Sequence, residues 1–219
     1  MDNIINKNIF VFWTGANVPS TNRINAYKQL INKSECNIIL ITTQNLGKYI
    51  LKDHPLHPAY QYLSETQKGD YLKAYMMNFH GGGYSDIKQT TNSWKKSFDK
   101  LYNSDKWIIG YRESKIDHIA YKPFANYWRE LVGNGGFICK SQTPLTKEWY
   151  NDMLTILNIK LNKLKQFPAT FPQDCAEVSK GKYPIEWNEI NGRIFHRLCY
   201  KYKDTLLYDL PEPILNNYR

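Results

Sequence analysis

The sequence predicts an α/β fold in which a mixed, mostly parallel central sheet is flanked by helices. Two short apolar runs, residues 9–13 and 37–41, have the length and continuous apolar character of strands buried in a sheet. A third segment, residues 65–79, carries apolar side chains at the spacing of a helix. Strands that alternate with helices in this way are typical of layered α/β proteins with parallel sheets.

Length and composition predict one domain. The chain has 219 residues, of which 42% are hydrophobic, and this suffices for one sizeable core over residues 1–219. The apolar runs are far shorter than the roughly 18 residues of a membrane helix, so no transmembrane segment is expected. Residues 1–8 are polar and lack an apolar signal core, which predicts a cytoplasmic location.

The cysteines and the charge exclude some classes of protein. The four cysteines are widely spaced and form no CxxC pair, which argues against structural zinc and predicts reduced thiols; they are Cys36, Cys139, Cys175 and Cys199. The formal charge of +9 is spread along the chain without a dense basic block. Such a surface attracts anions in general, among them nucleotide diphosphates, acidic glycans, membrane headgroups and nucleic acid.

The first unit of the chain has the order strand, helix, strand. Residues 9–13 are the expected first strand, which a Thr-Gly pair ends. Residues 19–33 begin with Pro-Ser and are compatible with a helix, and the second strand follows at residues 37–41. The connection is long enough for a helical crossover, which implies parallel strands joined by a right-handed connection.

The helix expected over residues 65–79 leads into a run of three glycines. At about 100° per residue, Asp70 and Lys73 project together from the side opposite the apolar face, so they can share a site. The glycines at 81–83 end this helix, and residues 84–88 begin a strand-like segment that contains Asp86.

The remaining elements are marked less strongly. Further strands are expected at residues 107–111 and 137–140. One helix is expected to begin at Leu145 and another to cover residues 187–200. No internal repeat, low-complexity tract or long Gly/Ser linker divides the chain.

Residues 69–88 carry the most specific pattern. An Asp, an apolar residue and a basic residue on one helix are followed by paired glycines, an aromatic residue and a second Asp, and these are Asp70, Leu72, Lys73, Gly81, Gly82, Tyr84 and Asp86. This pattern resembles the signature of GT-A glycosyltransferases related to capsular polysaccharide synthesis proteins and Och1-type mannosyltransferases, in which the second Asp opens a DxD motif. The size and layout are also similar to virus-encoded glycosyltransferases that decorate capsid protein.

Two residues depart from the family's pattern. Lys73 replaces the usual Arg, which keeps the positive charge but loses bidentate recognition. Lys88 stands where the second Asp of the DxD motif is expected, which weakens the assignment of a metal ligand there. A lysine at this position is able to contact a phosphate or to screen Asp86.

The resemblance implies a GT-A-like, Rossmann-like domain over residues 1–219. Its activity would be transfer of a sugar from a nucleotide-diphosphate donor, with a UDP-sugar favoured, to a glycan or glycoprotein acceptor. Negative charge develops on the leaving phosphates, so Mn²⁺ or Mg²⁺ is the expected cofactor, with Asp86 as catalytic residue and metal ligand. Nucleic acid is not an expected partner, and for a viral protein the location would be the host cytoplasm.

The resemblance also suggests roles for other residues. Trp13, Thr14 and Gly15 match the first strand and the loop that faces the nucleotide, so they are expected to bind the donor together with Asp70, Lys73 and Lys88. Asn134 matches a later strand and turn that close the sugar site. His196 lies in a segment similar to one that returns toward the metal, which makes it the expected second metal ligand.

Each assignment has a structural alternative. Asp86 also fits a residue that caps a turn, and Asp70 fits an ordinary helix residue paired with Lys73. A place in the hydrophobic core explains Trp13 at the end of a strand as well as base stacking does. Asp174 is a candidate general base in a loop, but a turn role is an equal alternative. A lone histidine in an apolar helix, such as His196, is often a core residue.

Two other functions remain open. A nucleic-acid-binding protein would use the basic, Tyr-rich surface to follow phosphates and stack bases, and its binding would depend steeply on salt. A non-catalytic module that binds sugar nucleotides or glycans would bind without turnover, and Lys88 at the place of a metal ligand favours it. No GK(S/T) follows the glycines and no GxGxxG follows the first strand, so kinase and dinucleotide-binding functions lose their main support.

Overall fold

A computed structural model describes residues 6–214. Six strands within this range form one sheet, namely β1 (Asn8–Phe12), β2 (Asn37–Ile41), β3 (Gly82–Ser85), β4 (Ile108–Arg112), β5 (Val132–Cys139) and β6 (Leu206–Tyr208). The α-helices are α1 (Thr21–Ser34), α2 (Glu65–Phe79), α3 (Lys95–Tyr102), α4 (Pro144–Gln166) and α5 (Gly192–Lys201). Short 3-10 helices cover Leu46–Tyr49, Tyr60–Tyr62, Ile116–His118, Lys122–Glu130 and Lys203–Thr205. Residues 1–5, part of the polar stretch that predicted the location, lie outside the described residues.

The sheet is mixed and mostly parallel, as predicted. Its strand order is β2-β1-β3-β5-β4-β6. β1 pairs in parallel with β2 and with β3, and β4 pairs in parallel with β6. β5 is antiparallel to its neighbours β3 and β4, so five strands share one direction and β5 runs against them. The carboxyl ends of β1, β3, β4 and β6 therefore meet the beginning of β5 at one edge of the sheet.

Helices cover both faces of the sheet because the side chains of its inner strands alternate between two apolar surfaces. In β1, Ile9 packs with the buried residues of α3, and Val11 packs with those of α1. Phe10 points to the other face and belongs to the main core, to which α2, α4 and α5 contribute. Burial of each such side chain stabilises the fold by about 1.5–3 kcal/mol.

Helix α2 has the predicted bounds but is buried more completely than one apolar face implies. All residues from 71 to 78 are buried, because α2 lies between the sheet and α4 and is also covered by the segment before it. The hydroxyl of Tyr75 donates to the carbonyl oxygen of His54 at 2.7 Å, and the hydroxyl of Tyr71 accepts from the backbone N–H of His57 at 2.9 Å. These bonds satisfy the polar tips of two buried tyrosines.

The glycine run is part of the strand and not only a linker before it. Gly81 and Gly82 have positive φ angles of 66° and 85°, which reverse the chain after α2. β3 then covers Gly82–Ser85, so the prediction of a strand-like segment over residues 84–88 places the strand too late. Asp86 is the first residue after the strand.

Other boundaries also differ from the predictions. β5 begins at Val132, well before the expected residue 137, and α5 begins at Gly192, because residues 187–191 form turns. β2 is an edge strand in which only Ile41 is fully buried, whereas a buried strand was expected. α3 and β6 were not predicted. The four cysteines are free. Among residues 6–214, no helix is both long and apolar enough to cross a membrane.

Candidate functional site

A cavity of about 800 Å³ opens at the edge of the sheet where the parallel strands end. The residues that follow β1, β3 and β4 line it, as does the beginning of β5. Open α/β sheets bind ligands at this edge, and the volume lies in the range of sites for small molecules and cofactors. This cavity is the candidate functional site.

Asp86 lies in the cavity wall and is held by three hydrogen bonds. Its backbone N–H donates to the carbonyl oxygen of Gly135 in β5 at 2.9 Å. The ammonium group of Lys88 donates to Oδ2 of Asp86 at 2.8 Å, and the hydroxyl of Tyr84 donates to Oδ1. Gly135 leaves room beside this arrangement for the hydroxyl of Tyr111, since a Cβ at position 135 would lie 3.1 Å from that oxygen.

These neighbours keep Asp86 ionised. Burial by itself raises the pKa of Asp86, but the ammonium groups of Lys88 and Lys73, with the hydrogen bonds from Lys88 and Tyr84, bring the pKa below its ordinary value. The pKa of the Tyr84 hydroxyl is raised well above its ordinary value by burial and by the charge of Asp86. Tyr84 therefore stays a proton donor while Asp86 stays a charged acceptor.

Lys73 is the buried cationic group of the site. Its Nζ lies 3.6 Å from Oδ1 of Asp70 and donates to both the backbone and side-chain oxygens of Asn134 at 3.4 Å. The same nitrogen lies 4.4 Å from the ring centroid of Tyr84. The geometric prediction that Asp70 and Lys73 project together from α2 is thus correct. The structure also brings Lys88 and Asn134, two further residues singled out by the sequence, into the same cavity wall.

Asp70 is the carboxyl partner of this lysine. Its Oδ1 accepts a hydrogen bond of 2.6 Å from the side-chain amide of Asn191. Burial raises the pKa of Asp70 to about 6, against the opposing effects of Lys73 and Asn191 and with a further contribution from the charge of Asp86. Asn191 was not singled out by the sequence, because nothing local marks a residue 121 positions away from its partner.

The loop after β1 lines the cavity through Trp13, Thr14 and Gly15. The indole N–H of Trp13 donates to the backbone oxygen of Asn17 at 2.8 Å, which orients the half-buried ring. The hydroxyl of Thr14 donates to Oε2 of Glu65 at 2.9 Å, and this bond ties the loop to the first turn of α2. All three residues are therefore placed to contact a ligand in the cavity.

The structure places Asp174 and His196 away from the cavity wall. Oδ2 of Asp174 accepts from the backbone N–H and the hydroxyl of Thr170, so this carboxylate caps its own loop. His196 is fully buried in α5, and burial, followed by the charge of Lys73, lowers the pKa of its imidazole to about 4. These surroundings favour structural roles for both residues, and the roles of Asp174 as general base and His196 as metal ligand stay predictions.

Asp86 lines the cavity and His196 does not, so the two expected metal ligands do not share one cavity wall. Both oxygens of Asp86 already accept hydrogen bonds, and the ring nitrogens of His196 lie inside the core. In the described part of the chain, one group of three potential ligands meets the geometric requirement for a metal ion, and it consists of Glu113, His118 and Glu212. The ligand atoms of this group lie within 4.8 Å of one another, and Glu113 and His118 line the cavity.

The cavity is acidic although the chain is basic. Five carboxylates and three cationic side chains line it, namely Glu65, Asp70, Asp86, Glu113 and Asp117 against Arg23, Lys73 and Lys88. Glu113 is buried, and burial followed by the charge of Glu212 raises the pKa of its carboxyl to about 7. The net charge of +9 therefore resides on other surfaces.

No family model matches the sequence, and no curated protein matches it either. Among solved structures, the fold is similar to that of the PaToxG glycosyltransferase, with a TM-score of 0.52 and 14% sequence identity. The similarity covers 90% of this chain and 69% of that one. At this level of identity the likeness concerns the fold alone. The chain therefore has a mixed α/β, GT-A-like glycosyltransferase fold.

Proposed function

We propose that this chain is a glycosyltransferase that moves a sugar from a nucleotide-diphosphate donor, with a UDP-sugar favoured, to a hydroxyl of a glycan or glycoprotein. Residues 1–219 form one such domain of the capsular polysaccharide or Och1-type kind. The observation that carries the proposal is the cluster of Asp70, Lys73, Asp86 and Lys88 in one cavity wall of a GT-A-like fold.

The two lysines provide the electrostatic part of the reaction. As the bond between the anomeric carbon and the phosphate oxygen breaks, negative charge develops on the leaving diphosphate, the oxygen of the acceptor hydroxyl bonds to the carbon, and the hydroxyl proton passes to solvent. Lys73 and Lys88 are held by Asp70 and Asp86, so both ammonium groups are oriented before the charge develops. Preorganised charges of this kind stabilise the transition state without reorganisation during the reaction.

The carboxylates and the β1 loop would position the donor. Ionised Asp86 is an acceptor for hydroxyl groups, and Asn134 adds an amide beside Lys73. Trp13 offers an aromatic surface for the base, with Thr14 and Gly15 close to it. A divalent cation, when bound, would neutralise charge on the diphosphate.

A nucleotide-release assay tests this proposal. The protein is incubated with a panel of UDP-sugars and GDP-sugars in Mn²⁺, with water as the acceptor that takes up the sugar, and free nucleotide is separated by chromatography. We expect release from one donor class, with at least a 100-fold loss in Asp86→Asn. Asp105→Asn is the matched control, since Asp105 has a side chain that is 85% exposed and should release nucleotide at the wild-type rate.

The alternatives give different results in the same assay. The non-catalytic module, which Lys88 at a metal-ligand position favours, predicts binding of a sugar nucleotide without release of free nucleotide. The nucleic-acid-binding alternative predicts neither binding of a sugar nucleotide nor release of free nucleotide. Absence of release from every donor would reject the enzymatic proposal.

A further inference from the structure

A second group of polar side chains lines the cavity next to the lysine pair. Glu113 is the first residue after β4, His118 ends the 3-10 helix Ile116–His118, and Glu212 follows β6. Nδ1 of His118 lies 3.6 Å from Oε2 of Glu113 and 3.4 Å from Oε1 of Glu212. Three separate segments thus bring one imidazole nitrogen and two carboxylates to a common point.

Hydrogen bonding within the group does not account for this arrangement. Nδ1 of His118 is shielded from solvent and has no hydrogen-bond partner, although two carboxylate oxygens are close to it. Glu113 is only 5% exposed, and the hydroxyl of Tyr111 donates to its Oε1 at 3.4 Å, with a further backbone hydrogen bond involving Asn134. A buried carboxylate beside a second carboxylate is costly unless positive charge compensates it.

The donor set suits a metal ion. Around an ion with ligands at about 2.1 Å in octahedral geometry, adjacent ligand atoms lie about 3.0 Å apart. The distances of 3.4 Å and 3.6 Å from Nδ1 of His118 exceed this value by about 0.4 Å and 0.6 Å, and all three ligand atoms lie within 4.8 Å of one another. The hydroxyl of Ser114 donates to Oε1 of Glu212 at 2.9 Å, an outer hydrogen bond of the kind that orients metal ligands.

The charge of the cavity also favours a bound cation. Five carboxylates against three cationic side chains would repel a diphosphate unless a cation entered with it. A site with three protein ligands leaves coordination positions for water or for phosphate oxygens.

We propose that Glu113, His118 and Glu212 bind a divalent metal ion, and that this group, not Asp86 with His196, is the metal site of the cavity. An imidazole beside two carboxylates suits Mn²⁺ better than Mg²⁺, because Mg²⁺ dehydrates reluctantly and keeps several of its waters. The use of the ion in charge neutralisation rests on the proposed function, whereas binding of the ion does not.

The test is a titration of the protein with Mn²⁺ alone, without nucleotide. The electron paramagnetic resonance signal of free Mn²⁺ measures how much of the ion is bound. We expect one bound ion, and at least tenfold weaker binding in His118→Asn and in Glu212→Gln. Both side chains are about 30% exposed, so these variants are expected to fold, and their melting curves check this. Asp86→Asn should bind Mn²⁺ within threefold of wild type. Glu130→Gln, which removes a surface carboxylate paired with Lys203, is the matched control.

A second measurement needs no variant that alters the site. Sub-stoichiometric Mn²⁺ should broaden the ring-proton NMR signals of His118 before those of the other four histidines. Lack of Mn²⁺ binding by the wild type would overturn the proposal. So would loss of binding in Asp86→Asn alone, or broadening of another histidine first. Mn²⁺ binding at His118 without nucleotide release would support this metal site and reject the proposed function. Nucleotide release without Mn²⁺ binding would support the proposed function and reject this metal site.

Discussion

The ammonium nitrogen of Lys88 lies 2.8 Å from Oδ2 of Asp86, two residues earlier in the chain. The positive charge therefore occupies the neighbourhood in which a DxD motif would place a second carboxylate. Lys88 and Lys73 both lower the pKa of Asp86. Asp86 therefore stays ionised and forms an ion pair with Lys88 in the cavity wall.

Removal of the charge of Lys88 should weaken donor binding. In Lys88→Gln, Asp86 loses its closest cation and the diphosphate loses one ammonium group, so we expect at least tenfold weaker binding of the UDP-sugar by calorimetry. Lys100→Gln is the control, since Lys100 is half exposed and pairs with Asp209 on the surface. Equal affinities of the two variants would show that Lys88 does not contact the donor.

A methyl group at position 135 should disturb the site more than the fold. In Gly135→Ala the new Cβ would lie 3.1 Å from the hydroxyl of Tyr111 and 3.5 Å from both Asp86 Oδ2 and Lys88 Nζ. We expect donor affinity to fall at least fivefold while the melting temperature changes by a few degrees. Gly47→Ala, where a Cβ meets no atom within 4 Å, should change neither quantity. A large loss of stability in Gly135→Ala with unaltered affinity would contradict this prediction.

Asp70 should make stability fall as the pH rises from about 4 to 6. Its pKa is about 6 in the folded protein and 3.8 without the fold, so in this window the folded state holds a proton that the unfolded state has lost. The stabilisation from this group is complete below pH 3.8 and is lost as the pH rises to 6, at a total cost of about 1–3 kcal/mol.

Denaturant unfolding at a series of pH values tests this effect. Other groups titrate in both proteins, so the informative quantity is the difference in slope between wild type and Asp70→Asn. The variant should lose less stability over the window than the wild type. Parallel curves would show that Asp70 has an ordinary pKa.

His196 should tolerate replacement by an apolar residue. Its imidazole is fully buried, both ring nitrogens lack a hydrogen-bond partner, and its lowered pKa of about 4 keeps it neutral. Leu has a similar volume and no polar atoms to bury, so His196→Leu should unfold at a denaturant concentration equal to or above that of the wild type. Mn²⁺ binding should be unchanged in this variant. Loss of metal binding in a folded His196→Leu protein would make His196 a ligand after all.

The sequence predicted the elements that depend on local patterns. The unit β1-α1-β2 and the bounds of α2 were predicted from apolar periodicity, and the structure adds caps at Ser20 and Ser64, whose side chains accept hydrogen bonds from the first helical turns. Asp70 and Lys73 could be paired because they lie three residues apart on one helix. The glycine turn that follows brings Asp86 back to the same place.

The parts that the sequence did not predict depend on long-range packing. The insertion of β5 between β3 and β4 decides that Asn134 lies beside Lys73, and no local pattern specifies that order. Glu113, His118 and Glu212 come from three segments that only the fold brings together. His196 and Asp174 were assigned from the chemistry of their side chains, whereas burial and loop capping decide their environment.

A calorimetric titration of UDP-sugars and GDP-sugars into the protein, with and without Mn²⁺ and repeated on Asp86→Asn, measures whether the cavity binds a sugar nucleotide. We expect saturable binding of one donor class at one site, strengthened by Mn²⁺ and at least tenfold weaker in the variant. Absence of binding to any nucleotide sugar, with or without the metal, would contradict the proposed function.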